Sequence, residues 1–446
     1  MGLITPQKQQ QHRAVSNANH FSGYSPAPFK TLAKKSLLSY SKVTQFDRWL
    51  VRKMVDVVGN PPVRISLWDG VEVTPYCKNP LAIMVYCDRA ALFKTILDPE
   101  LHWGDLYCAG RVIFEGDMAG FMRAIFLGIS GKDKISRLRK TVLWLGHRSI
   151  FNSFDQAKEN IHHHYDIGNA FYKLWLDKEV MQYTCAYFPH DDMTLEQAQI
   201  AKLHHVCRKL ALKPGDSVVE AGCGWGGLAR FMARHYDVKV TAYNISKEQI
   251  KFARHRAEEE GLSDKVEFVL DDYRNIHGKF DVFVSVGMLE HVAKHDYQEL
   301  GQVIHSCLKK EGRGLIHSIG RVVSGPMNAW IERRIFPGAC PPTLSEMMQI
   351  FEPNNLATYD VENIRLHYSK TLQMWSERFE QHKDEIVEMM DEEFVRAWSL
   401  YLYGSLAAFN VGELQLFQVV FGHMENNKIP RSRQYIYEAD KNLGHL

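Results

Sequence analysis

A run of about 18 apolar residues, the least that a membrane-spanning helix needs, occurs nowhere in this chain of 446 residues. A surplus of one charge sign is also missing. Lys and Arg number 54 against 52 Asp and Glu, for a net charge of +2, which excludes the global basic field that nucleic-acid binding usually needs and makes any basic function regional. There is no C-x-x-C pair either. Cys77, Cys87, Cys108, Cys185, Cys207, Cys223, Cys307 and Cys340 are widely spaced, which argues against a zinc ribbon or a redox motif and for reduced thiols. The opening "MGLITPQKQQQHRAV" lacks the charged-then-apolar order of a signal peptide. The expected location is therefore the cytoplasm.

What is present is an ordinary globular composition, 45% hydrophobic, in a chain long enough for two or three domains. Residues 1–35 are rich in Gln, Ser, Asn, Lys and Pro and read as a tail that cannot order itself. A helix is expected over 36–58, followed by strand-like "VRISLW" and "VEVTPY" and by helical patterns near 89–97 and 117–128. Together they make a small α+β unit, 36–130. Next comes a basic linker, 131–160. Within it "KDKISRLRKTVLWLGHR" (132–148) sets six Lys/Arg residues beside Ile135, Leu138, Val142, Leu143, Trp144 and Leu145. Such a stretch either packs as an ordinary helix or lies on an anionic membrane surface.

From about residue 196 the pattern becomes regular: helix, strand 217–220, helix, strand 238–243, helix 246–260, strands 265–269 and 281–286, helix, strand 312–318. Alternation of this kind implies a mostly parallel, doubly wound sheet. After 340 the chain reads as helical and aromatic, and "LQLFQVVFGHM" suits a last strand. No internal repeat is evident.

The stretch "VVEAGCGWGG" (218–227) follows an apolar run with four glycines in six residues. Gly222, Gly224 and Gly227 satisfy G-x-G-x-x-G, which alone is a weak sign of a dinucleotide site. Glu220 two positions earlier gives E-x-G-x-G-x-G, the spacing of S-adenosylmethionine (SAM) enzymes: a tight turn admits the ligand to backbone amides, and a carboxylate meets a cationic amino-acid moiety. An NAD site prefers an acid near the end of the next strand, where "VTAYNIS" has Asn244. SAM enzymes often use an acid there too, so that contrast is modest. Asp271 and Asp272 follow the third strand, placed to accept from an adenine amino group.

Taken together, "HYDIGNAFYKLWLD" (164–177), "YTCAYF" (183–188), "GCGWGG" (222–227), "SVGMLEHV" (285–292), "HSIG" (317–320), "IFPGACPP" (335–342) and "HYSKTLQMW" (367–375) resemble the cyclopropane-fatty-acyl-phospholipid synthase and mycolic acid cyclopropane synthase family. The likeness runs from about residue 160 to the C-terminus; "KNPLAI" and "GDLYCAGRV" look like the family's small lipid-side domain. The resemblance implies a Rossmann-like class I SAM methyltransferase fold over 161–446 with the α+β domain before it. It implies SAM contacts at Tyr183, Thr184, Gly222, Gly224, Asn244, Ile245, Gln249 and Tyr273, which join Glu220 and Asp272 from the reading of the glycine loop and third strand. Asn244 departs from the family's common Thr, although an amide can still bond a ribose hydroxyl.

By the same resemblance the reaction adds the SAM methyl to an acyl-chain alkene and then removes a proton from the new methyl, with bound bicarbonate as the base. Residues matching its pocket are Cys185, Glu290, His317, Ile319 and Tyr368. Cys185 and Ile319 would act through backbone amides, and the others would position the anion and relay its proton. Tyr183 and Tyr187 are candidate aromatic faces for the cation. Plainer readings stand beside these: Cys185 as a small buried side chain, Glu290 and His291 as an ordinary ion pair. His162, His163 and His164 cannot converge on one ion, since adjacent helical side chains point about 100° apart; only His164 heads a motif. No metal is expected.

The expected partners are phospholipid acyl chains at the inner face of a membrane, with no nucleic acid and with a homodimer as a candidate assembly. The leading reaction is ring formation on a cis double bond. The alternatives are C-methylation to methyl-branched or methylene fatty acids, a small-molecule methyltransferase, which the extra N-terminal unit disfavours, and a non-enzymatic lipid carrier, which the intact motifs disfavour.

Overall fold

The computed structural model describes residues 41–74, 77–130 and 168–437. The expectations for residues 1–35, for the basic stretch 132–148 and for His162, His163 and His164 lie outside the described residues.

The first helix, Gln45–Val57, starts where a capping box closes: Thr44 accepts from the Asp47 amide and the Asp47 carboxylate accepts from the Thr44 amide. It precedes a three-stranded sheet of β1 (Val63–Ser66), β2 (Ala82–Tyr86) and β3 (Val112–Gly116) in that order, with β1 parallel and β3 antiparallel to β2. Among the described residues of "VEVTPY" the expected strand does not form; an isolated bridge joins Ser66 to Glu72. β2 and β3 come instead from "AIMVY" and "VIFEG". All five residues of β2 are buried, so it lacks the alternation that marks a half-exposed strand. The helix Pro99–Cys108 was also not expected. It follows Arg89–Leu97 because Asp98 caps it and Pro99 takes the first helical position.

The larger sheet contains β4 (Ser217–Ala221), β5 (Lys239–Asn244), β6 (Val266–Leu270), β7 (Phe280–Val286), β8 (Leu308–Arg321), β9 (Leu356–Asn363) and β10 (Leu414–His423). Their order is β6-β5-β4-β7-β8-β10-β9. β4 to β8 run parallel, and β10 is antiparallel to both β8 and β9. β4 through β7 fall where the apolar runs placed them, and β8 extends further in both directions. β9 lies in a region read as helical; it is an edge strand with polar residues over much of its length, a weak pattern for recognition. Because the chain winds outward from β4 to β6 and then returns to β7, the carboxyl ends of β4 and β7 flank the switch point where ligands enter such sheets.

Each face of this sheet has its own apolar layer, one around Leu203, Val206, Leu228 and Phe231, the other around Phe283, Tyr297, Ile304 and Phe351. A third core runs without interruption from Val51, Leu67 and Tyr86 of the small unit to Phe171, Trp175, Trp375 and Trp398. The contact between the units is close. A Cβ on Gly104 would meet the Trp330 ring at 2.6 Å, Arg334 pairs with Asp105 at 2.9 Å, and Arg396 Nε donates to the Cys108 carbonyl at 2.6 Å. The small unit is therefore seated on Ala329–Arg334 and Glu392–Val411, above the carboxyl ends of the strands.

Candidate active site

The glycines after β4 divide into two kinds. Gly222, at φ +81°, has the Met288 side chain 2.8 Å from where a Cβ would stand, Gly226 has the Phe268 ring at 2.5 Å, and Gly227 has the Val180 carbonyl at 2.2 Å. These three permit protein packing. Gly224, at φ +53°, has nothing within 4 Å, so its missing side chain leaves an open cradle at the switch point. Asn244, at the end of β5, braces that cradle: Nδ2 donates to the Gly224 carbonyl at 3.1 Å and to Gln249 Oε1 at 2.8 Å, while Oδ1 accepts from the Ser246 amide. Both its donors are thus occupied within the loop, and Oδ1 keeps a second lone pair that can accept from a ribose hydroxyl. Ile245 follows it, half-buried.

Two buried groups, Glu220 Oε2 on β4 and the Tyr273 hydroxyl after β6, have no hydrogen-bond partner among the described residues. Burial pushes the Glu220 carboxyl up to about 8, against the opposing charges of Lys202 and Arg230. Asp272 accepts from the Arg274 amide and pairs with its guanidinium at 3.2 Å, so this carboxylate is anchored to its own turn before any ligand arrives.

The wall bearing Tyr183, Thr184 and Cys185 is fixed from below. The buried Asp177 carboxylate accepts from the amides of Val180, Met181 and Gln182 at 2.8, 3.0 and 2.7 Å. From the helix Leu195–Lys209, Gln199 Nε2 reaches the Thr184 carbonyl at 2.8 Å, and fully buried Lys202 donates to Gln182 Oε1 and, at 3.0 Å, to Thr184 Oγ1. Burial lowers Lys202 to about 8, though Asp177 opposes the shift. Tyr183 donates to the Tyr401 hydroxyl at 2.9 Å and lies among Tyr172, Trp175 and Trp375. Cys185 is fully buried and its thiol is pushed well above the ordinary value by burial, so it is no nucleophile; what it offers a ligand is its backbone N–H.

The second carboxylate follows β7. Glu290 Oε1 accepts from the Ile319 amide at 2.6 Å, and Oε2 is buried with no hydrogen-bond partner among the described residues. Burial raises this carboxyl to about 7, with the Ile319 hydrogen bond pulling the other way. The Ile319 amide and the Glu290 carboxylate, both expected at the anion site, are thus in direct contact. Burial also lowers His291 to about 4, so it carries no charge near neutral pH and the ordinary ion-pair reading falls. Cys340, in "IFPGACPP", donates its amide to the Glu290 carbonyl at 2.7 Å. His317 stands opposite Val286 on β8, and its carbonyl takes the Gly287 amide at 2.9 Å, so the segment that carries Glu290 is tied at the His317 level. Tyr368 is buried against Trp375 and Phe409, while Tyr187 stacks between His205 and His367 at 4.1 and 4.6 Å.

Two functional candidates were missed from sequence: Lys202 and Gln418, whose Nε2 lies 3.0 Å from His317 Nδ1. A signal for the first existed. Ala198, Lys202, His205 and Lys209 recur at helical spacing and all are fully buried, an apolar-stripe position held by ionisable residues. Gln418 sits in an apolar strand with nothing local to mark it.

The sheet order, the open glycine turn at the switch point and the buried acid at the end of β4 define a class I SAM-dependent methyltransferase. The chain belongs to the mycolic acid cyclopropane synthetase family, whose model matches residues 152–419. It is 42% identical over 345 residues to the cyclopropane-fatty-acyl-phospholipid synthase of Escherichia coli strain K12, covering 76% of this chain and 88% of that one. A "Probable fatty acid methyltransferase" of Pseudomonas putida is 36% identical over 380 residues, 80% of this chain and 91% of the relative. Matches this long must include part of the chain before residue 152. Among solved structures, the cyclopropane synthase MmaA2 from Mycobacterium tuberculosis is 30% identical with a TM-score of 0.56, over 59% of this chain and 97% of that one. CmaA1, a mycolic acid cyclopropane synthase solved with SAH and CTAB, is 29% identical with a TM-score of 0.57 over the same shares.

Proposed function

We propose that this protein transfers a methylene group from SAM to a cis double bond in a phospholipid acyl chain and closes a cyclopropane ring. The observation that carries the reading is the 42% identity to the Escherichia coli cyclopropane-fatty-acyl-phospholipid synthase across most of both chains. The cradle fits SAM: open space at Gly224, the unpartnered Glu220 Oε2 for a cationic amino group, and the unpartnered Tyr273 hydroxyl near the expected nucleoside end. Thr184, Gln249, Ile245 and Asp272 complete that set. We infer a bicarbonate site held by Glu290 Oε2, the His317 ring, the Cys185 amide and the Tyr368 hydroxyl; the support is the buried, unpartnered Glu290 Oε2. When bound, SAM supplies an electrophilic methyl group, and bicarbonate supplies a base that accepts a proton without becoming alkylated.

The protein's own part is orientation and charge. A Glu290 carboxyl raised to about 7 is substantially protonated near neutral pH, so Oε2 carries an O–H able to donate to an anion that a second carboxylate would repel. Tyr183 and its aromatic neighbours present π faces to positive charge developing on the acyl chain, and the dry walls exclude water that would capture the cation. The test is direct: purified protein, SAM and vesicles of monounsaturated phospholipid, with the fatty-acid esters separated by gas chromatography against standards. A ring product is expected.

A second reading, C-methylation to a methylene or reduced methyl-branched chain, is favoured by the Pseudomonas putida relative. Ring and methylene products both add CH2 and separate only by chromatography, whereas a reduced branch gains two further hydrogens.

We also propose that the enzyme acts at the surface of a membrane. No helix of the described residues is long and apolar enough to cross one, and the support lies in the basic stretch 132–148. Replacing Arg137, Arg139 and Lys140 by Gln should weaken binding to anionic vesicles by about 3 kcal/mol at most, at ~1 kcal/mol per charge near the surface. Binding insensitive to salt and to these changes refutes that role.

A further inference from the structure

A row of polar side chains crosses the larger sheet on one face. Gln418 on β10 stands opposite His317 on β8 and opposite Glu362 on β9, and directly opposed residues project to the same side. Gln418 is fully buried and His317 nearly so. At the far end Glu362 Oε2 meets His205 Nε2 at 2.7 Å and Lys209 Nζ at 2.5 Å, both from the helix Leu195–Lys209. Although burial opposes it, the His205 hydrogen bond and the Lys209 charge hold Glu362 down at about 2, so it is ionised. Glu362 is only partly buried, and removing it leaves buried His205 and Lys209 unpaired. Gln418 adjoins this cluster by strand register, and its own Oε1 is buried without a hydrogen-bond partner among the described residues.

Its near end determines what His317 can do. Gln418 Nε2 lies 3.0 Å from His317 Nδ1; an amide N–H can only donate, so this placement of the amide puts the ring proton on Nε2. No described residue bonds that Nε2. Burial, with Lys202, Lys209 and His205 all on the covering helix, lowers His317 well below its ordinary value, so the ring stays neutral. A neutral N–H suits the site: it orients an anion, whereas an imidazolium would share its proton and weaken the anion as a base.

We propose that Gln418 is a positioning residue for the reaction: seated between His317 and the Glu362–His205–Lys209 cluster, it fixes His317 as the neutral tautomer whose Nε2–H faces the anion pocket. This rests on the reading of His317 as a pocket residue.

The full-length protein, labelled with 15N at histidine, tests it by long-range 1H–15N spectra, with the His317 signals assigned by their loss in His317→Ala. Wild type should show His317 protonated on Nε2 alone. In Gln418→Glu a carboxylate accepts from Nδ1–H, so the proton should move to Nδ1 or the ring become charged. Turnover should then fall about tenfold or more, while the SAM dissociation constant stays within about twofold. Gln418→Leu, which cannot bond Nδ1, should give mixed tautomers and an intermediate rate. Three results overturn the proposal: a wild-type ring protonated on Nδ1, wild-type turnover in Gln418→Glu while His317→Ala is impaired, or activity, SAM binding and Tm falling together with an unmoved tautomer. Wild-type turnover in His317→Ala instead refutes the pocket reading on which the proposal rests.

Discussion

The loop after β4 and the pocket beyond β7 and β8 are built in opposite ways. The cradle is shaped by backbone: Gly224 leaves space because it has no side chain, and Asn244 holds the turn through the Gly224 carbonyl. The second pocket is shaped by side chains set against amides and rings from distant segments, Glu290 against the Ile319 amide and His317 against Gln418. A backbone cradle tolerates little change in residue size, whereas a side-chain pocket keeps its shape under isosteric replacement and loses only its proton chemistry. The two halves should therefore fail differently.

The largest expected effect is in the cradle. Gly224→Val puts a β-branched residue at φ +53°, a strain of ~1–3 kcal/mol, and fills the space left for the ligand. SAM binding measured by calorimetry should vanish while the protein stays folded. A folded variant with unchanged affinity breaks the assignment of the cradle.

Next in size is Glu290→Gln. The amide keeps an acceptor for the Ile319 N–H and a donor at the second position but cannot exchange a proton. Turnover should slow by roughly 100-fold with SAM affinity nearly intact. Were Glu290 a structural carboxylate, Tm, binding and rate would decline together.

A smaller effect sharpens the contrast between the two acids. Burial raises Glu220 to about 8, so the free protein keeps a proton there below that pH, and a cationic ligand beside it must expel that proton. The complex binds fewer protons than the free protein, so affinity rises with pH, by roughly tenfold between about pH 6 and about pH 7. Glu220→Gln should flatten this dependence. A flat profile in wild type contradicts a contact between Glu220 and the cationic end of SAM.

The same contrast explains what could be read from sequence. β4 to β8 were legible because parallel strands buried on both faces are apolar runs separated by helices, and the cradle because three close-packed glycines and one open glycine stand within six residues. β2 and β3 were lost for want of alternation, and β9 because an edge strand is polar over much of its length. At the proposed site, Glu290 and His317 were put forward through their motifs. Gln418 was not, since its partner lies 101 residues away and only the antiparallel return of β10 brings the two together. Lys202 was missed for a related reason: a lysine on a helix reads as solvated until the fold shows that its stripe faces the loop 182–184.

The central claim is that the cradle and the carboxylate pocket are separable, one holding SAM and the other serving the removal of the proton. It is tested most directly by measuring ring formation in wild type and Glu290→Gln on monounsaturated phospholipid vesicles, with bicarbonate rigorously removed and then restored, and with SAM affinity recorded on the same samples. The account predicts that bicarbonate stimulates wild type strongly and that Glu290→Gln binds SAM normally yet turns over roughly 100-fold more slowly. Full ring formation without bicarbonate, or wild-type rates in Glu290→Gln, would contradict it.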